Sequence, residues 1–309
     1  MPTFMNALAI VNPNAGSADA AREMLSQLQH HPNCDVQETQ QRGHAADLAR
    51  RAIDAGVLRL IAAGGDGTIN EILNGIAPQF GRIELAIIPL GTGNDLARSL
   101  NLPRDLHEAT ELALTGQAAP MDVARFRGTS TRYFLNASAG GFSGVVDQHV
   151  QDQHKDRWGS LAYVASAVAA LPNMQTYQVH LALAEQSMEL AAYNIVIANG
   201  RYAGGGIPVA PDAILDDGLF DIAIVPAAPL AESAQAVLQI LLGQQNETDS
   251  VITMQSSRVR VRSQPLMPIN VDGELLGETD GEFDLLKRAL RIVAEPKCPC
   301  LSRSTPISH

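Results

Sequence analysis

The spacing of apolar and polar residues changes character at about residue 120. Before that point, apolar runs at 7–11, 36–39, 58–63 and 84–89 predict strands, and the stretches 18–29, 45–55 and 96–100 predict helices. Ile69, Ile72, Leu73 and Ile76 mark one face of a further helix after the third strand. Strands alternating with helices in this way predict a mostly parallel sheet with helices on its faces. From Met121 onward the chain shows short strand-like runs at 122–127, 133–137, 177–183, 189–198, 220–225, 258–262, 268–271 and 289–294, with one helix expected at 231–242. That grammar predicts an antiparallel sandwich or barrel. The expected organisation is an α/β domain over 1–122, a β-rich domain over 123–295 and a loose tail over 296–309.

The 309 residues are 46% hydrophobic, enough for a core in each domain. The longest uncharged stretch, 158–184, is interrupted by Pro172, Asn173, Gln175 and Gln178. Its residues Leu161, Val164, Ala165, Val168 and Leu171 fall on one helical face, so a core-facing helix is expected rather than a membrane span. A net charge of −11 argues against a nucleic-acid partner and a polybasic lipid anchor, because both need a basic surface. Three cysteines, Cys34, Cys298 and Cys300, imply no disulfide framework. Cys298-Pro299-Cys300 reads as two tail thiols or as half of a metal site. The first nine residues lack a basic region followed by a long apolar core, so no secretory signal is expected.

Two glycine loops carry the chemistry. Gly64-Gly65-Asp66-Gly67-Thr68 lies between an apolar strand and an amphipathic helix, where glycine lets backbone approach a bulky ligand and the helix N-terminus favours a phosphate. Taken alone, a tight turn capped by Asp66 is the alternative. Gly91-Thr92-Gly93-Asn94-Asp95 follows the next strand, and in open parallel sheets ligands bind outside the carboxyl ends of neighbouring strands. Only three lysines occur, Lys155, Lys287 and Lys297, none inside a glycine loop, which excludes a P-loop enzyme. The segment 212–221 holds four aspartates and a glycine, which suits a hard cation and equally suits a turn.

Asn12-Pro13 with Gly16, the GGDGTINE run at 64–71, PLGTGNDLAR at 89–98 and Val271-Asp272-Gly273-Glu274 together resemble the diacylglycerol kinase catalytic-domain family, with the bacterial YegS-like lipid kinases the nearest in pattern. Asn14 stands where many relatives carry a basic residue. The resemblance implies a Rossmann-like, phosphofructokinase-like α/β nucleotide domain followed by a β-sandwich domain. It implies ATP contacts at Thr39, Gly65, Asp66, Gly67, Thr68, Ile69, Asn70, Glu71 and Thr92. It implies Mg²⁺ held by Ile214, Asp217 and Leu219, with Asp122 in the charge network nearby. Glu274 is the implied catalytic base, with Asp66 and Asp95 as further catalytic carboxylates. The expected reaction is transfer of the ATP γ-phosphoryl group to a lipid hydroxyl by a cytoplasmic protein, peripheral at the membrane surface, with a homodimer left open. An NAD kinase-type enzyme and a catalytically silent lipid- or nucleotide-binding protein are the alternatives.

Overall fold

The computed structural model describes residues 7–16, 18–141, 174–278 and 280–302. The expected helical face from Leu161 to Leu171 lies outside them. The chain divides into two compact units, one of residues 1–123, 214–217 and 286–309, the other of 124–213 and 218–285. The first unit thus takes in 214–217 and the end of the chain, which a single cut after residue 122 leaves out.

The first unit is built on parallel strands β1 (Ala7–Val11), β2 (Cys34–Glu38), β3 (Arg59–Gly64) and β4 (Glu84–Pro89), in the order β2-β1-β3-β4. Helices α1 (Ala18–His30), α2 (His44–Asp54), α3 (Asp66–Ile76), α4 (Asp95–Ser99) and α5 (Leu106–Thr115) connect and cover them. Every residue of β1 and β3 is buried, as the continuous apolar runs of a sheet covered on both faces require. Ala9, Val11, Ile61, Ala63, Ala86 and Ile88 pack with Met24 and Leu28 of α1 and Ala113 of α5. The alternate residues Leu8, Ile10, Leu60, Ala62, Leu85 and Ile87 are buried on the opposite face, which α2 and α3 cover. Gly75 of α3 lies against α2, where a Cβ would stand 2.5 Å from the Ala46 carbonyl oxygen.

Arg59, 1% exposed, spends all five of its N–H donors. Nε and Nη2 donate to Glu84 Oε2 at 3.1 and 2.7 Å, Nη1 to the carbonyls of Ala113 and Leu114, and Nη2 also to that of Gly116. The guanidinium thereby satisfies the orphan carbonyls at the C-terminus of α5.

In the second unit the pairings are antiparallel, as expected. Its strands are β5 (Ala118–Arg127, which begins in the first unit), β6 (Thr131–Phe134), β7 (Ala137–Gly141), β8 (Tyr177–Leu183), β9 (Ser187–Ala198), β10 (Phe220–Pro226), β11 (Ile252–Ser256), β12 (Arg258–Gln264), β13 (Pro268–Val271), β14 (Glu274–Glu278) and β15 (Gly281–Val293). β15 pairs with β12 in this unit through 281–284, and with β4 in the first unit through Arg291 and Ile292. The long β9 pairs with β8 through its first half and with β7 and β10 through its second, as a strand shared between two layers does. Phe126, Phe134, Phe220 and Phe283 form the aromatic centre, with Phe126 and Phe283 tilted at 5.1 Å. Helix α6 (Leu230–Leu242) packs on β10.

Candidate active site

The strand order reverses direction at β1, whose neighbours β2 and β3 lie on opposite sides, so the carboxyl ends of β1 and β3 flank the switch point of the sheet. The loops after all four strands are tied together there. Asn12 N donates to Ala63 O at 2.9 Å, Thr39 N to Val11 O at 2.8 Å and Leu90 N to Gly64 O at 3.0 Å. Asn12 Nδ2 reaches Thr68 Oγ1 at 3.4 Å. The two glycine loops touch backbone to backbone, since a Cβ on Gly91 would stand 2.6 Å from Gly65 Cα. Asn94, in the left-handed region at φ 51°, closes the second loop by accepting from Gly91 N at 2.9 Å and donating to Gly91 O.

Helix α3 starts at this junction. Gly65 sits at its N-cap and brings no side chain to the cap, and a Cβ on Gly67 in the first turn would meet nothing within 4 Å. A helix start with that much open space and no capping side chain is shaped for an anion. Thr92 is exposed beside it, and Thr39, Gly65, Asp66 and Asn70 are half-buried. Thr68 and Ile69 are buried, at 7% and 4% exposed, so the side chain of Ile69 belongs to the core. Glu71 does a different job: its carboxylate accepts from Gly43 N at 2.8 Å and Ala45 N at 3.2 Å, capping α2. Asp66 Oδ1 accepts from Leu96 N at 3.4 Å, which links the first loop to α4, and Asp95 opens α4 as a buried carboxylate.

Glu274 belongs to the second unit. Asp272 and Gly273, with φ of 44° and 82°, form the two-residue turn between β13 and β14, and Val271 pairs with Glu274 across it, which is the geometry of a type I′ hairpin. Gly273 N donates to Asn270 Oδ1 at 2.8 Å. The carboxylate of Asp272 anchors the hairpin by accepting from Leu135 N, Asn136 N and Ala137 N at 3.0–3.1 Å. Those three amides are therefore taken from any ladder, so the run expected as one strand at 133–137 is broken into β6 and β7. Glu274 is half-exposed, its Oε2 3.6 Å from Nε of Arg132. The sequence marked Asp272 only as part of the motif at 271–274, and showed neither its anchoring role nor the partner Arg132, because their contacts lie far along the chain.

In the loop 214–219 Asp217 is exposed and Gly218 takes φ 78°. The buried carboxylate is Asp216: its Oδ2 accepts from Arg288 Nη2 at 2.8 Å and Ser302 Oγ at 2.6 Å, its Oδ1 from Ser302 N at 2.6 Å. Asp122, fully buried, accepts from Arg288 N at 2.6 Å and donates its own N–H to Leu215 O at 2.7 Å. Arg288 thus joins Asp122 to the segment before Asp217. Among the described residues no three His, Cys, Asp or Glu side chains converge as a metal cluster. One carboxylate with backbone carbonyls is a donor set that fits a hard cation keeping much of its own water, as Mg²⁺ does.

Residues 6–126 match the diacylglycerol kinase catalytic domain, and residues 136–294 match the YegS C-terminal NAD kinase beta sandwich-like domain. The chain is 33% identical to a diacylglycerol kinase of Bacillus subtilis (strain 168) over 92% of this chain and 94% of that protein. It is 30% identical to a probable lipid kinase YegS-like of Klebsiella pneumoniae (strain 342) over 97% of this chain and all of that protein. The crystal structure of a diacylglycerol kinase from Bacillus anthracis str. Sterne superposes with a TM-score of 0.75 at 25% identity, covering 96% of this chain and all of that one. With relatives aligned from end to end and both halves matched in order, the chain belongs to the diacylglycerol kinase catalytic-domain family.

Proposed function

We propose that this chain transfers the γ-phosphoryl group of ATP to the hydroxyl of diacylglycerol or a related lipid, at a membrane surface. Its family makes it a lipid kinase. The observation that supports the nucleotide's place is the uncapped start of α3, where two glycine loops meet backbone to backbone and Gly67 faces open space. Backbone N–H groups there offset phosphate charge in the absence of a P-loop lysine. Thr39, Asn70 and Thr92 lie around the same carboxyl edge and orient the nucleotide. Glu71 contributes by holding α2 in place.

Asp66 stands in the first turn of α3 and steadies α4 through Leu96 N. Ile214, Asp217 and Leu219 are the residues that would hold Mg²⁺, which would steady the loop 214–219 in a supporting role when bound. Glu274 accepts the proton of the lipid hydroxyl, with Asp272 fixing its hairpin by three backbone hydrogen bonds. The lipid is met at the membrane surface by a chain in which, among the described residues, no helix is long and apolar enough to cross a membrane. Asp66→Ala tests the reading. The half-buried side chain holds one long hydrogen bond, so the variant stays folded and loses transfer. A folded Asp66→Ala protein with wild-type turnover would overturn the role.

A further inference from the structure

Of the tail expected to be loose over 296–309, the described part, 296–302, is tied to the first unit, and the rest lies outside the described residues. Leu215 N donates to Cys300 O at 2.7 Å, and Ser302 closes on Asp216 through both its N–H and its hydroxyl. Cys300 and Cys298, two residues before it, carry buried thiols whose Sγ atoms lie 3.1 Å apart, with Cys298 Sγ also donating to Leu100 O at 3.4 Å. Lys297 and Pro299 are exposed while the two cysteines face inward, so the segment lies at the surface with its thiols turned under. Cys298, 9% exposed, is the one a reagent reaches first, after a local opening of the chain end.

We propose that Cys298 and Cys300 form a dithiol modification site that low-molecular-weight disulfides oxidise, and that its oxidation releases the clamp on Asp216. The Cys298 thiolate attacks one sulfur of the small disulfide, forming a mixed disulfide and expelling one small thiolate. The Cys300 thiolate then attacks Cys298 Sγ, closing the intrachain disulfide and expelling the second. Two electrons pass from the cysteines to the reagent, and the two thiol protons leave with the two small thiols. Bond formation draws the sulfurs from 3.1 Å to about 2.05 Å and imposes a Cβ–S–S–Cβ angle near 90°. Pro299 cannot absorb the change because its ring fixes φ near −65°. The backbone on either side moves instead, which strains the bonds from Cys300 O and Ser302 to the 214–217 segment. Cys34 is the odd one of the three cysteines: its Sγ donates to Asp35 O at 3.5 Å, while the other two thiols lie 3.1 Å apart, so an intrachain disulfide closes only between Cys298 and Cys300.

The test incubates the full chain with oxidised glutathione, maps the cysteines by mass spectrometry, and follows amide hydrogen exchange of the peptide spanning 214–217. The expected result is loss of two hydrogens from the peptide carrying Cys298 and Cys300, with Cys34 left as a free thiol. Exchange at 214–217 rises by up to about tenfold, the worth of one lost hydrogen bond, and dithiothreitol reverses both effects. Cys300→Ser, checked for folding by circular dichroism, then stops at a stable glutathione adduct on Cys298 without the intrachain disulfide. A stable adduct on wild-type Cys298, reaction at Cys34 in its place, or no reaction at all overturns the modification site. Oxidation with unchanged exchange at 214–217 overturns its link to Asp216.

Discussion

Replacing Gly91 by alanine probes the close approach of the two glycine loops. The added Cβ would stand 2.6 Å from Gly65 Cα and 2.8 Å from Asn94 Oδ1, where ordinary contacts begin at 3.4 Å. The nearer obstacle is backbone, which no rotamer change can move aside. The loops must therefore part by about 1 Å, a misplacement that costs on the order of 10²-fold in rate when it shifts reacting groups. Overpacking of this kind costs about 1–3 kcal/mol of stability, a tolerable loss for a chain of this size. The expected phenotype is a folded protein with a modestly lowered Tm and a kcat/KM for ATP reduced about a hundredfold, measured by initial rates over a nucleotide titration. Gly67→Ala is the contrast, since its methyl meets no protein atom within 4 Å. It should keep wild-type stability and still lose activity if a nucleotide fills that space. Wild-type kcat/KM in Gly91→Ala would refute the argument that the two loops form one cradle.

Arg59→Met leaves the carbonyls of Ala113, Leu114 and Gly116 without this donor and Glu84, among the described residues, with Arg291 alone, so it should cost about 3–5 kcal/mol, read from the urea midpoint; a change under about 1 kcal/mol would contradict the bonding described. Glu274→Gln keeps the shape of the side chain and removes the base, so kcat should fall by at least about 10² with the KM for ATP little changed, and retention of most of kcat would pass the role to Asp66 or Asp95. Cys34, raised from 9.0 to about 11 by burial, holds its proton to higher pH when folded than when unfolded. Its contribution to stability is therefore complete below pH 9 and lost as pH rises through about 11. Wild type should lose its stability margin over Cys34→Ala across that window, and a constant margin would refute the assignment.

The strands legible in the sequence were those bounded by turn residues and buried in an unbroken or alternating apolar run. β1, β4, β8 and β13 lie where the pattern placed them, at 7–11, 84–89, 177–183 and 268–271. Helix α5 was missed because its buried face, Ala109, Thr110 and Ala113, is made of small residues that give no apolar stripe. Its start was nonetheless written in Asp105, which caps Glu108 N at 3.0 Å. β11 and β14 escaped because they bury few of their residues. β15 was expected only at 289–294, since Asp284, Lys287 and Arg288 hide its earlier part. The glycine loops were readable because their composition is local. The roles of Glu71, Asp216 and Asp272 were not, since each carboxylate takes its partners from segments distant in sequence.

The most direct test of the account supplies the purified chain with ATP labelled in the γ-phosphate and a panel of acceptors: diacylglycerol, phosphatidylglycerol, a sphingoid base and ceramide in mixed micelles, and NAD in solution. The label is then partitioned between organic and aqueous phases. The expected result is Mg²⁺-dependent label in the organic phase with at least one lipid, none on NAD, and its loss in Asp66→Ala and Glu274→Gln. Label on NAD, or none on any lipid while the protein is folded and binds ATP, would contradict it.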